Sequence, residues 1–122
     1  MTPSECVFEA IRGRLGGMTL DAFRRALWDW DFIPIEQSGL MVGAVMRKGN
    51  EMHIALVPEA RNMVYLRGII RRELNPVIDD FGFVKTSVAK DHEIGHRLAK
   101  ILGFKVTHED ANCVHYECVG KI

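Results

Sequence analysis

Three sets of residues in this 122-residue sequence have types and spacings that could do chemistry. His92-Glu93-Ile94-Gly95-His96 reads H-E-x-x-H, with two imidazoles four residues apart and a carboxylate between them. On a helix that spacing can hold zinc, with the glutamate as general base. A zinc peptidase also needs a third ligand and a helix buried beside a cleft. This stretch is short, is weakened by Gly95 and closes on Leu102-Gly103-Phe104, so a metallopeptidase is the last of the readings and no metal site is expected. His108, Cys113, His115 and Cys118 form a second metal-like set. On a strand Cys113 and His115 share a face while Cys118 takes the other, so four ligands do not converge and core cysteines are the plainer reading. The third set lies within residues 39–72, read as two strands joined by Lys48-Gly49-Asn50 and then a Pro58-Glu59-Ala60 bend into a helix. A helix opening at such a bend offers unpaired N–H groups and a positive dipole end to a phosphate. Arg61 stands at its mouth, with Arg67, Arg71 and Arg72 further along, although basic helix faces are usually just solvated. Glu59 is read as complementing the dipole.

The elements that must position these groups follow from the apolar pattern. Thr2-Pro3-Ser4-Glu5 is a helix start with a capping residue, a first-turn proline and a capping-box glutamate. Val7, Ala10, Ile11 and Leu15 give that helix one apolar face, and Gly16-Gly17 ends it. Thr19 caps a second helix with Leu20, Phe23, Ala26, Leu27 and Trp30 on its face. Residues 31–36 form a short strand that Pro34 assigns to an edge. Residues 40–47 and 52–57 form a hairpin, the second strand having Met52, Ile54 and Leu56 on one face and His53, Ala55 and Val57 on the other. The helix from about Arg61 carries Met63, Leu66, Ile70, Leu74, Val77 and Phe81 on one side, with a kink or restart expected at Asn75 before Pro76. A strand over 83–89, a helix from Asp91 or His92 to about Leu102, and a hairpin of 104–107 with 113–119 complete the chain.

One domain is expected over residues 1–122. Formal net charge is zero, with 16 basic and 16 acidic residues, which argues against bulk nucleic-acid or anionic-membrane binding. No apolar run approaches the roughly 18 residues of a membrane span. The N-terminus lacks the order of a signal peptide, and three widely placed cysteines suit a reduced, cytoplasmic setting. The element order α-α-β-β-β-α-β-α-β-β implies an α/β fold with a mixed sheet flanked by helices.

That order, with three local features, resembles the GCN5-related N-acetyltransferase (GNAT) superfamily. The features are the hairpin into Val57-Pro58-Glu59-Ala60-Arg61, the strand Phe83-Val84-Lys85-Thr86-Ser87-Val88, and the helix ending Leu98-Ala99-Lys100-Ile101-Leu102-Gly103-Phe104. The likeness covers roughly residues 33–119. It is also similar to short divergent members encoded by tailed phages, some associated with virion assembly. The resemblance implies acetyl-CoA as acyl donor, a small-molecule or protein amine as acceptor, and a pantetheine arm admitted where two strands splay. It implies that Leu56 or Val57 gives a backbone N–H to the thioester carbonyl. It implies that Arg61 opens the pyrophosphate loop, whose amides run through Asn62, Met63, Val64, Tyr65 and Leu66. Val64 and Leu66 occupy the loop's two glycine places, and Ala99 stands where the family places a tyrosine acid. The family's carboxylate on or before the central strand makes Glu51 and His53 the expected catalytic bases. The alternative is a catalytically inactive assembly or interaction module of the same fold, as a homo-oligomer or with an assembly partner.

Overall fold

A computed structural model describes residues 1–57 and 66–120. Its elements are α1 (Pro3–Ile11), a 3-10 turn (Arg12–Arg14), α2 (Leu20–Ala26), β1 (Asp31–Gln37), β2 (Leu40–Lys48), β3 (Glu51–Leu56), α3 (Leu66–Phe81), β4 (Val84–Ala89), α4 (Glu93–Ile101), β5 (Lys105–Glu109) and β6 (Cys113–Cys118). The strands form one mixed six-stranded sheet in the order β1-β2-β3-β4-β6-β5. The fold is the α/β class expected, in the expected element order. The described residues divide into two compact units, 1–48 with 54–57, and 49–53 with 66–120, so β3 contributes to both.

The first unit is built by its two helices on the β1–β2 hairpin. Thr2 accepts the Glu5 N–H at 3.3 Å and Thr19 the Ala22 N–H at 3.2 Å, so both expected caps form. Helix α1 stops at Ile11, sooner than the double glycine, because the chain tightens into a 3-10 turn around Gly13, a poor helix residue. The apolar faces of α1 and α2 meet Ala44, Met46 and Ala55 around Val7, Phe8 and Phe23. Phe23 packs edge-on against Phe8 and Phe32, at centroid distances of 5.5 and 6.3 Å. Trp30 joins this core, whereas Trp28 is 82% exposed. Strand β1, with Pro34, lies at the sheet edge as expected.

In the second unit α3 and α4 both contact β4. Among the described residues of α3, Leu74, Val77 and Ile78 are buried, and Phe81, on the same face at the end of the helix, is 49% exposed. The expected stop and restart at Asn75 does not occur: α3 is helical from Leu66 to Phe81, through Pro76. Pro76 and Arg72 are both exposed, so the Arg72 carbonyl that loses its helical partner is left beside solvent. Strand β4 pairs antiparallel with β6, and β6 with β5, which reaches Glu109 rather than ending at Thr107. No helix among the described residues is long and apolar enough to cross a membrane.

Candidate active site

Alternation along a strand sets residues two apart on one face, and β3 opens with Glu51 and His53 in that relation. The structure brings them together: His53 Nε2 lies 2.6 Å from Glu51 Oε2. An ionised carboxylate only accepts, so the imidazole donates from Nε2, which fixes the neutral tautomer and makes Nδ1 the nitrogen that can take a proton. From β4, Thr86 Oγ1 stands 3.5 Å from Nδ1, too long for a strong hydrogen bond. The β3–β4 register behind this contact sets Glu51 opposite Lys85 in parallel, with the Lys85 N–H donating to the Asn50 carbonyl at 2.9 Å. The side chains of His53 and Glu51 are 28% and 36% exposed, so both are reachable from solvent. Thr86 has no signal in the sequence, because only strand pairing puts it beside His53.

The expected carbonyl donors separate. The Val57 N–H donates to the Val42 carbonyl at 2.9 Å and is already engaged. Alternation turns the neighbouring Leu56 N–H away from β2. Close approach of β2 to β3 at this point depends on Gly43: a Cβ there would meet the Ala55 carbonyl oxygen and the Leu56 backbone and side chain. Arg61, Asn62, Met63, Val64 and Tyr65, with Glu59, lie outside the described residues, and Leu66 is described only as the first residue of α3. On α3, the Nε atom of Arg71 is buried and has no hydrogen-bond partner among the described residues.

The H-E-x-x-H stretch is held for packing. His92 precedes α4 and Glu93 begins it. His96 Nε2 lies 2.9 Å from the Ala89 carbonyl oxygen and Nδ1 lies 2.7 Å from the Tyr116 hydroxyl. A carbonyl only accepts, so Nε2–H donates to it and, in the neutral ring, the phenol donates to Nδ1. Both nitrogens are thereby engaged. Gly95 brings α4 close to β4, since a Cβ there would stand 2.7 Å from Val88 Cγ1 and from the His92 ring. Among the described residues no group of three His, Cys, Asp or Glu side chains is placed to hold a metal ion.

The second metal-like set also resolves into structure. His108 and His115 stack at 4.2 Å with planes 4° apart, which does not aim two lone pairs at one point. Asp110 accepts from His115 Nε2 at 2.7 Å and from the N–H groups of Asn112 and Cys113 at 2.8 and 2.7 Å. The His115 bond, with those two amides, holds the Asp110 carboxyl well below the usual carboxylate range. Cys118 is buried, and burial pushes its thiol up.

No family model matches the sequence, and no curated protein matches it. Solved structures do. A Pyrococcus horikoshii protein aligns with a TM-score of 0.76 at 14% identity, over 98% of this chain and 89% of its own. A GNAT family acetyltransferase from Elizabethkingia anophelis with acetyl-CoA bound aligns at 0.69 and 8% identity, over 98% and 91%. Spermidine N-acetyltransferase from Vibrio cholerae, in complex with CoA and spermine, aligns at 0.64 and 15% identity, over 84% and 76%. At these identities the likeness is one of fold, which is conserved long after sequence and does not carry a specific activity with it. The chain has the fold of the GCN5-related N-acetyltransferase superfamily.

Proposed function

We propose that this protein is an acetyl-CoA-dependent N-acyltransferase that transfers an acyl group to an amine, with Glu51 and His53 as its base. The observation that carries the reading is the 2.6 Å Glu51–His53 hydrogen bond, set at the start of β3 in a GNAT fold. An ammonium must lose a proton before it can attack a thioester, so direct transfer needs a positioned base more than any other side-chain chemistry. Glu51 orients the imidazole and stabilises the charge it gains, and Nδ1 takes the proton, directly or through one water. Thr86 Oγ1, at 3.5 Å from Nδ1, is the hydroxyl on β4 placed beside this nitrogen. Further along β3, the Leu56 N–H is the group suited to polarise the thioester carbonyl. Acetyl-CoA supplies the acyl group as a thioester.

An anionic donor also suits α3, where the buried Arg71 Nε has no partner among the described residues, so a phosphate of CoA is a fitting one. Arg61, with the amides from Asn62 to Leu66, is proposed for the pyrophosphate. The acceptor is proposed as a small amine, in keeping with the fold likeness to a spermidine acetyltransferase in complex with spermine. The test is calorimetry with acetyl-CoA followed by turnover with spermidine and other small amines. Saturable binding with turnover that falls in His53→Ala supports the reading; no binding at millimolar acetyl-CoA defeats it.

A second reading, the same fold used without turnover as an assembly or interaction module, is favoured by Ala99. This residue is buried and apolar where the family places an acid. Thiolate protonation would then have to come from solvent. Absence of turnover together with a stable homo-oligomer or a captured partner would select this reading.

A further inference from the structure

A groove of ≈ 580 Å³ runs between α4 and the β5–β6 hairpin, lined by Glu93, His96, Arg97, Lys100, Val106, Glu109, Val114 and Tyr116. It shares no residue with the Glu51–His53 site, and its size is that of an ordinary small-ligand cleft. Glu93, Arg97 and Lys100 recur at four and three residues and so form one stripe of α4. The strand registers place the opposite wall. Val88, Val114 and Glu109 form one cross-strand row, and Thr86, Tyr116 and Val106 the next. Helix α4 begins over the first row, where Gly95 meets Val88, and ends where Leu102 approaches Cys118. Glu93 and Glu109 therefore share one end of the groove, Lys100 lies toward the other, and Arg97 stands between them. Glu93 and Lys100 are seven residues apart, or roughly 10 Å along the helix.

The chemistry between the two ends is apolar. Val114 is buried and Val106 is 54% exposed, so the groove offers hydrocarbon surface that nothing among the described residues covers. The hydroxyl of Tyr116 makes no further polar demand, because it is bonded to His96. None of Glu93, Arg97, Lys100 and Glu109 enters an ion pair among the described residues, although two carboxylates and two cations line the same groove. Separated charges of opposite sign across an apolar floor are complementary to one kind of ligand. We infer that the groove binds a linear zwitterion, with its ammonium at Glu93 and Glu109, its carboxylate at Lys100 and Arg97, and an apolar chain over Val106 and Val114.

The probe is 8-aminooctanoate at neutral pH, compared with octylamine and octanoate, each of which keeps one charge and the chain. Binding is read by amide chemical shifts and by titration. The expected result is saturable shifts at Val106, Val114 and Tyr116, with the zwitterion binding about fivefold more tightly than either analogue, the gain of one partly exposed ion pair. Lys100→Met, an exposed change, lowers the affinity for 8-aminooctanoate without changing that of octylamine, and Glu93→Gln lowers it without changing that of octanoate. Equal binding of the three probes, shifts confined to other residues, or no saturable binding each overturns the inference.

Discussion

Glu51 and His53 show how much a two-residue spacing decides. On a strand it sets carboxylate and imidazole on one face, and the 2.6 Å bond follows without any long-range contact. If this pair is the base, His53→Ala lowers kcat by about 10²–10⁴ with a smaller change in KM for acetyl-CoA. Glu51→Gln, which keeps the shape but not the charge, gives a partial loss in the same steady-state assay. Asp110 makes a prediction of another kind. Its carboxyl is depressed by His115 and two amides, so the stability it contributes is fully present above the unfolded carboxylate value of about 3.9 and is lost as pH falls below it. Urea midpoints followed from pH 5 to pH 2 should fall in the wild type and fall less steeply in Asp110→Asn. Cysteine chemistry separates in the same way. Burial raises the Cys6 and Cys118 thiols, while Cys113 is partly exposed, so a thiol reagent at neutral pH modifies Cys113 first. Mass mapping of singly labelled protein checks this.

At the scale of elements, local signals were legible wherever the physics is local. Thr2 and Thr19 cap their helices because a side-chain oxygen three residues from an orphan N–H needs no tertiary help. Pro34 marks the edge strand for the same reason, since a proline cannot feed a second neighbour. Pro76 does not restart the helix because its cost depends on surroundings: Arg72 and Pro76 are both at the surface, where solvent can replace the missing helical bond, and α3 continues. Gly43 is the opposite case, a residue whose importance appears only once β2 is laid against β3. A side chain there would collide with the Ala55 carbonyl oxygen, which is backbone and cannot rotate away. Gly43→Ala is therefore expected to cost about 1–3 kcal/mol, read from chemical denaturation. It should also weaken acetyl-CoA binding if Leu56 is the carbonyl donor.

For the molecule as a whole, β3 is the element both compact units use: its first residues carry the Glu51–His53 pair and its last lie beside Gly43. A donor that binds only the folded chain adds its binding free energy to stability. Acetyl-CoA at 100 times its Kd should then raise unfolding free energy by about 2.7 kcal/mol, visible as a shift in thermal midpoint. The sequence by itself determined the α/β class, the element order, both N-caps and the edge strand. Each depends on period, capping or turn chemistry within a few residues. Only the tertiary structure decided the rest. It placed Thr86 beside His53, engaged the Val57 N–H with Val42, and turned H-E-x-x-H into a packing contact through Tyr116 and Ala89. It also set Glu93 and Glu109 at one end of a groove whose walls are far apart in sequence. Those arrangements follow from strand register and helix placement, which are fixed by burial across the whole fold and not by any local pattern.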